Sequence, residues 1–179
     1  IETSDKLTIA LLDGLSLGGG SELALACQAI IATPAGSLAF PETGIGIYPG
    51  LGGMLRSMMQ MGPELAKYYV FTGAPISAAD ALDLGIAAKV VEPADVEAAI
   101  RDLVTAGKPD KYRSRNIPDR FQPYAKIGTP ENVAKLMNGQ PPEGVDENMA
   151  AKTAKIVGYK APLAGKFSNE IIDQQIGTS

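Results

Sequence analysis

The chain has 179 residues, 45% hydrophobic and 20% charged, with a net charge of −4, no His and the single cysteine Cys27. This is one domain of ordinary globular composition and excludes a disordered, collagen-like or coiled-coil chain, a Ser-His or Cys-His mechanism, a His-ligated metal and an internal disulfide. No Lys/Arg run and no apolar stretch of the ~20 residues a membrane helix needs is present, so neither nucleic acid nor membrane is an expected partner, and the lone thiol points to a reducing, cytoplasmic setting.

Ile1 stands first in place of Met, with no charged segment before an apolar one. No signal peptide is expected, and the chain reads as processed, excised or incompletely represented. Leu7–Leu12 predicts a buried strand turning at Asp13-Gly14. Gly18-Gly19-Gly20 then opens a helix that the Ala/Leu/Glu content carries from Ser21 through Cys27 to Ile31. Ser37–Phe40 predicts a second strand closed by Pro41. The glycine-rich segment 43–53 predicts a loop that turns tightly or approaches something closely.

Helices are predicted over Met54–Met61 and Glu64–Phe71. Another is opened by the capping box Ser77-Ala-Ala-Asp80 and stopped by Gly85. Ala88–Val91 predicts a strand, and Pro93 with Asp95 begins a helix to Ala106. Residues 107–120 read as a linker. Helices then follow over Asp119–Lys126, Pro130–Asn138, Val145–Val157 and Pro162–Ile176. The expected division is 1–106 as a strand-rich core and 107–179 as a helical C-terminal region.

Two places can carry chemistry. Backbone N–H groups at the start of the helix after Gly18-Gly19-Gly20 are free to meet a ligand oxygen, as in an oxyanion hole; the same residues also suit a plain strand-to-helix turn, with Glu22 as a favourable first-turn acid. Glu42 follows the stiff Pro41 and suits acid/base work or a solvated loop acid. Without His, Glu22 and Glu42 are the best acid/base pair available; sharing one water, they would couple and one would tend to hold a proton. Cys27 reads as a small buried hydrophobe. Met54, Met58, Met59 and Met61 read as core or lid packing, with an acyl-chain pocket as the lesser reading. Arg56 is either a surface cation or a fold-stabilising partner. Ser77 reads as a cap, and Lys152, Lys155, Lys160 and Lys166 as a solvated face.

These residues resemble the enoyl-CoA hydratase/isomerase (crotonase) superfamily. The resemblance runs through Ala10-Leu-Leu-Asp-Gly14, Gly18-Gly-Gly-Ser-Glu-Leu-Ala-Leu-Ala-Cys27, Phe40-Pro-Glu-Thr-Gly-Ile-Gly-Ile-Tyr-Pro-Gly-Leu-Gly-Gly53, Phe71-Thr-Gly73 and Ile76-Ser-Ala-Ala-Asp-Ala81. It continues to Val91, is loose from Gly107 to Asn148 and resumes at Lys160-Ala-Pro-Leu163. The nearest likeness is to the hydratase domain fused to 3-hydroxyacyl-CoA dehydrogenases, notably archaeal ones. It implies an α/β fold, a crotonase-like spiral of ββα turns with a helical C-terminal region. It implies Glu22 and Glu42 as the catalytic acids, Gly19 as the oxyanion-hole N–H and Gly50 as the glycine whose N–H orients the attacking water. No metal or redox cofactor is implied; coenzyme A enters as part of the substrate. Gln28 and Met54 depart from the Asp and Thr common in relatives.

The resemblance also implies that roughly a third of a domain precedes Leu7 in relatives, supplying the second oxyanion donor and much of the coenzyme A pocket. The expectation is that a separate or fused N-terminal portion or dehydrogenase domain completes the protein, and that the strand at Leu7–Leu12 has an unpaired edge. The implied activity is hydration of a trans-2-enoyl-CoA to a 3-hydroxyacyl-CoA in fatty-acid β-oxidation, by a homo-oligomer (trimer or hexamer). An isomerase or acyl-CoA hydrolase on the same scaffold is the second reading, and a truncated, inactive scaffold serving oligomer assembly the third.

Overall fold

The computed structural model describes residues 1–109 and 116–176. Among them, strands β1 (Ile9–Leu12), β3 (Ala29–Ala32) and β6 (Lys89–Val90) form one parallel sheet in the order β1-β3-β6. Strands β2 (Leu15–Leu17), β4 (Ser37–Ala39) and β5 (Ile76–Ser77) form a second sheet in the order β2-β4-β5, with β4 antiparallel to β5. The chain alternates between the sheets from β1 to β4, and β5 joins β4 in the second before β6 returns to the first. β1 and β2 are followed by helix α1 (Gly19–Ala26), and β3 and β4 by α2 (Gly53–Met61) and α3 (Pro63–Thr72). β5, α4 (Ala78–Asp83) and β6 complete the path. The result is a spiral of strand–strand–helix turns with α1 and Glu42 on its inner layer.

Two predictions about this part are corrected. The helix expected from Ser21 to Ile31 ends at Ala26, and Ala29–Ala32 is the central strand β3. Every residue of β3 is buried. A strand buried on both faces reads as an unbroken apolar run, which periodicity cannot tell from a buried helix. Its alternation appears only in the packing: Ile30 and Ala32 enter the main core, while Ala29 and Ile31 pack with Ala99 and Leu103 of α5 (Val96–Ala106). The second is β2, three residues wedged between Gly14 and Gly18, where no strand is expected from the sequence. Its Leu15 and Leu17 are exposed, as is Leu11 of β1. Among the described residues β1 pairs only with β3 and β2 only with β4, so each is an edge strand.

Ser77 caps α4: its hydroxyl accepts from the Asp80 N–H and donates to the Asp80 carboxylate, in place of the return bond to the Ser77 N–H of a full capping box. The expected linker 107–120 lies partly outside the described residues. Beyond it, α6 (Gln122–Ile127), α7 (Pro130–Met137), α8 (Glu147–Gly158) and α9 (Pro162–Gln175) follow. Helices α6, α8 and α9 pack around α3. One hydrophobic cluster runs from Leu12 and Phe40 through Leu65 and Val70 to Ile127, Val133 and Ile172, so strands and C-terminal helices share a core.

The loop between α7 and α8 is pinned by the buried Asn132. Its amide donates to the carbonyls of Lys126 at 2.8 Å and Glu143 at 2.9 Å, and its oxygen accepts from the Glu143 N–H at 2.7 Å. Asn132→Ala leaves these backbone groups without that partner. It is expected to cost about 2–3 kcal/mol in a urea-unfolding measurement.

Candidate active site

Glu22 and Glu42 meet at the start of α1. Ser21, fully buried, fixes the first turn: its hydroxyl donates to the carbonyls of Ser16 and Ala39, and accepts from the Ala39 N–H at 3.1 Å. The Gly18 N–H adds a bond to the same Ala39 carbonyl at 2.9 Å. The helix start is thus stitched to β2 and β4, and the next side chain, Glu22, is carried inward to 3% exposure.

Glu42 arrives from β4, the neighbour of β2 in the same sheet. It begins a 3-10 turn, Glu42–Ile45, after Pro41 at the end of β4, and is 5% exposed. Thr43 anchors that turn to α3, donating from its hydroxyl to the Val70 carbonyl at 3.1 Å, and its carbonyl accepts from the Ala161 N–H at the start of α9 at 3.0 Å. Gly18 has φ +51, and a Cβ there would lie 2.8 Å from Glu42 Oε1. Only glycine both takes this backbone conformation and lets the carboxylate come this close.

The two acids sit in unlike surroundings. Glu22 Oε1 accepts two backbone hydrogen bonds, from Leu51 N–H at 2.7 Å and Gly53 N–H at 2.8 Å, which fix its orientation. Glu42 Oε2 is buried with no hydrogen-bond partner among the described residues. Burial pushes the Glu42 carboxyl above its ordinary value; a hydrogen bond from its own backbone opposes the shift, and the charge of neighbouring Glu22 adds to it. The arrangement is one oriented carboxylate beside one carboxyl that holds its proton more tightly, with the first N–H groups of α1 alongside.

Gly19 is the first residue of α1 and is exposed, and no side chain caps the helix. Its N–H is among those a helix leaves unpaired. Gly50 is exposed on the loop before α2, whereas the N–H groups on Glu22 belong to Leu51 and Gly53, one and three residues later. Sequence reasoning missed these two donors, and Ser21. The signal for the donors was the Gly52-Gly53 pair at the helix start: a Cβ on Gly53 would sit 2.7 Å from Glu22 Cγ. The segment from Glu42 to α2 exposes Ile45, Ile47, Tyr48 and Leu51. Met54, Met58 and Met61 are buried in the main core, and Met59 is exposed. Lys160 is half-buried rather than solvated, its ammonium beside Gly44 and Gly73. It borders a cavity of about 200 Å³ behind Thr43, walled by Phe71, Leu136, Met137 and Val157. Among the described residues no group of three His, Cys, Asp or Glu side chains is placed to hold a metal ion, and no helix is long and apolar enough to cross a membrane.

Comparison with known proteins identifies the family and the fold. The chain is 39% identical over 113 residues to a peroxisomal fatty acid beta-oxidation multifunctional protein of Arabidopsis thaliana, covering 61% of this chain and 16% of that one. It is 38% identical over 103 residues to a crotonyl-CoA hydratase of Syntrophomonas wolfei, covering 58% of this chain and 40% of that one. Its fold overlays an enoyl-CoA hydratase from Rhodobacter sphaeroides with a TM-score of 0.74 over 97% of this chain and 51% of that one, at 24% identity, which establishes the crotonase-like α/β spiral. The chain thus spans about half the length of that solved hydratase and less of the other two. The family model for enoyl-CoA hydratase/isomerase matches residues 1–175, nearly the whole described chain, and the chain belongs to that family.

Proposed function

We propose that this chain carries the acid/base centre of an enoyl-CoA hydratase, adding water syn across the double bond of a trans-2-enoyl-CoA to give a 3-hydroxyacyl-CoA in fatty-acid β-oxidation. The observation that carries the reading is the convergence of Glu22 and Glu42, one oriented by two N–H groups and the other with a raised proton affinity. In the proposed step Glu22 takes a proton from water as the water oxygen bonds to Cβ. The double-bond electrons move toward Cα and the thioester oxygen, and Glu42 delivers its proton to Cα. Return of the proton from Glu22 to Glu42 resets the pair. The Gly19 N–H is one donor to the thioester oxygen; in such a site one donor is worth about 10²–10³ in rate. Gly50, in the exposed loop, keeps its proposed part in steering the water, next to Leu51, which holds Glu22.

No metal or redox cofactor enters this step, and coenzyme A is carried by the substrate. The whole protein is proposed to be a cytoplasmic homo-oligomer, a trimer or hexamer, with a 3-hydroxyacyl-CoA dehydrogenase domain. Similarity to a multifunctional beta-oxidation protein supports the last point. The test is a crotonyl-CoA assay that follows loss of the enoyl-thioester absorbance, with products weighed by mass spectrometry. A gain of one water is expected. An unchanged mass with a shifted double bond would replace the reading with isomerisation, and free coenzyme A would replace it with thioester hydrolysis.

A further inference from the structure

The geometry points to Arg56 and Glu2 as positioning residues that hold the Leu51–Gly53 segment in the shape that orients the Glu22 carboxylate. This deepens the hydratase reading and rests on it. Arg56 lies in the first turn of α2, where its N–H bonds to the Gly52 carbonyl at 3.0 Å. Its guanidinium turns back over the loop. Nη1 donates to the Leu51 carbonyl at 2.9 Å, while Nε and Nη2 face the Glu2 carboxylate, at 3.2 and 2.8 Å from Oε2. The Arg56 side chain is 17% exposed and that of Glu2 39%. Gly52 has φ +90, and a Cβ there would lie 2.4 Å from Nη1, so the guanidinium rests against bare backbone.

Three successive peptide groups are therefore held from opposite sides. The peptides ending in the Leu51 and Gly53 N–H groups point at Glu22, and the one between them presents its Leu51 carbonyl to Arg56. If the middle peptide turns, both neighbours turn with it and Glu22 loses its donors. Glu2 keeps the guanidinium in place and is itself secured by Gln28, whose amide donates to the Glu2 carbonyl at 3.2 Å. A planar fork suits the task, because one edge can grip a carboxylate while another nitrogen reaches a carbonyl; an ammonium lacks that shape. Support of this kind around a reacting group decides whether it sits within a fraction of an ångström of its working position.

The test is amide hydrogen exchange by NMR on Arg56→Met and Glu2→Gln, together with hydration kinetics on the same variants. In both, the Leu51 and Gly53 amides are expected to exchange faster, by about tenfold or more in Arg56→Met and by less in Glu2→Gln, while Met58 and Met61 in α2 keep their protection. Turnover of Arg56→Met is expected to fall about ten- to a hundredfold in kcat with KM little changed. Native protection at Leu51 and Gly53 in Arg56→Met overturns the inference. So does loss of protection along all of α2 in Glu2→Gln, which would mark plain support of the fold. If the parent protein hydrates no enoyl thioester while the two amides loosen as expected, the clamp stands and the hydratase reading falls.

Discussion

Glu22→Gln and Glu42→Gln are each expected to lower hydration turnover by about 10²–10⁴, the range general acid/base groups supply, yet to move stability in opposite directions. Glu22 accepts two short N–H bonds, and a neutral amide in its place weakens them, so the folded state loses a little. Glu42 is buried with one oxygen lacking a partner, and its proton affinity is raised above the ordinary 4.5. Between 4.5 and the raised value the folded chain therefore binds more protons than the unfolded chain. Stability falls as pH rises through that window and is fully restored only below it. Glu42→Gln has no such slope. Its Tm should exceed that of the parent at pH ~8, and the difference should vanish toward pH ~4, because only a titrating group produces it. A constant difference across that range, or full turnover by either variant, would remove the paired-acid mechanism. For the proposed hydratase, the same raised affinity is expected to set the alkaline side of the activity profile, where Glu42 would lose the proton it delivers.

The residues themselves marked both acids and the helix start before any contact was visible. What was legible followed from short-range chemistry. Gly62 and Pro63 end α2 and begin α3, Ser77 caps α4, and Gly18 has to open α1 because no other residue takes its backbone angles beside Glu42. The meeting of Glu22 with Glu42 was not legible, because it depends on β2 and β4 lying side by side in a register that the residues between them do not encode locally. β3 was misread for a related reason. Its four apolar residues serve two cores at once, and only the placement of α5 on the far side shows that Ala29 and Ile31 face away from Ile30 and Ala32. The donors to Glu22, on Leu51 and Gly53, went unnamed, since the resemblance offered Gly50 only as the N–H that orients the water. Backbone N–H direction follows from dihedral angles, and the positive φ of Gly52 sets the Gly53 N–H, which meets Glu22, against the Leu51 carbonyl, which meets Arg56. Arg56 stayed open between a surface cation and a fold-stabilising partner because the carboxylate it grips lies 54 positions away.

Gly128→Ala is expected to be the most destabilising small substitution considered. Gly128 closes α6 with φ −84 and ψ 4, a conformation open to any residue, so no backbone penalty enters. The obstacle is steric: a Cβ there would lie 1.9 Å from the Glu64 carbonyl oxygen and 2.6 Å from its carbon, in the first turn of α3. Those are backbone atoms that cannot swing aside, so α3 and α6 must separate, and Leu65, Ala66, Ala125 and Ile127 lose packing in the shared core. A loss of about 3–4 kcal/mol follows, above the common range for overpacking, with Tm lower by about 10 °C. Two other glycines separate the causes. Gly139 has φ +71 and nothing within 4 Å of a Cβ, so Gly139→Ala pays only for the left-handed conformation, about 1 kcal/mol. Gly158, at the end of α8, has neither problem, and Gly158→Ala should stabilise by about 0.5–1 kcal/mol through the unfolded chain. The order of the three by calorimetry tests the α3–α6 approach; a Gly128→Ala loss no larger than that of Gly139→Ala would show that the helices have room. The outcome bears on the site as well, since α3 supplies the Val70 carbonyl that holds Thr43 and, through it, the turn that presents Glu42.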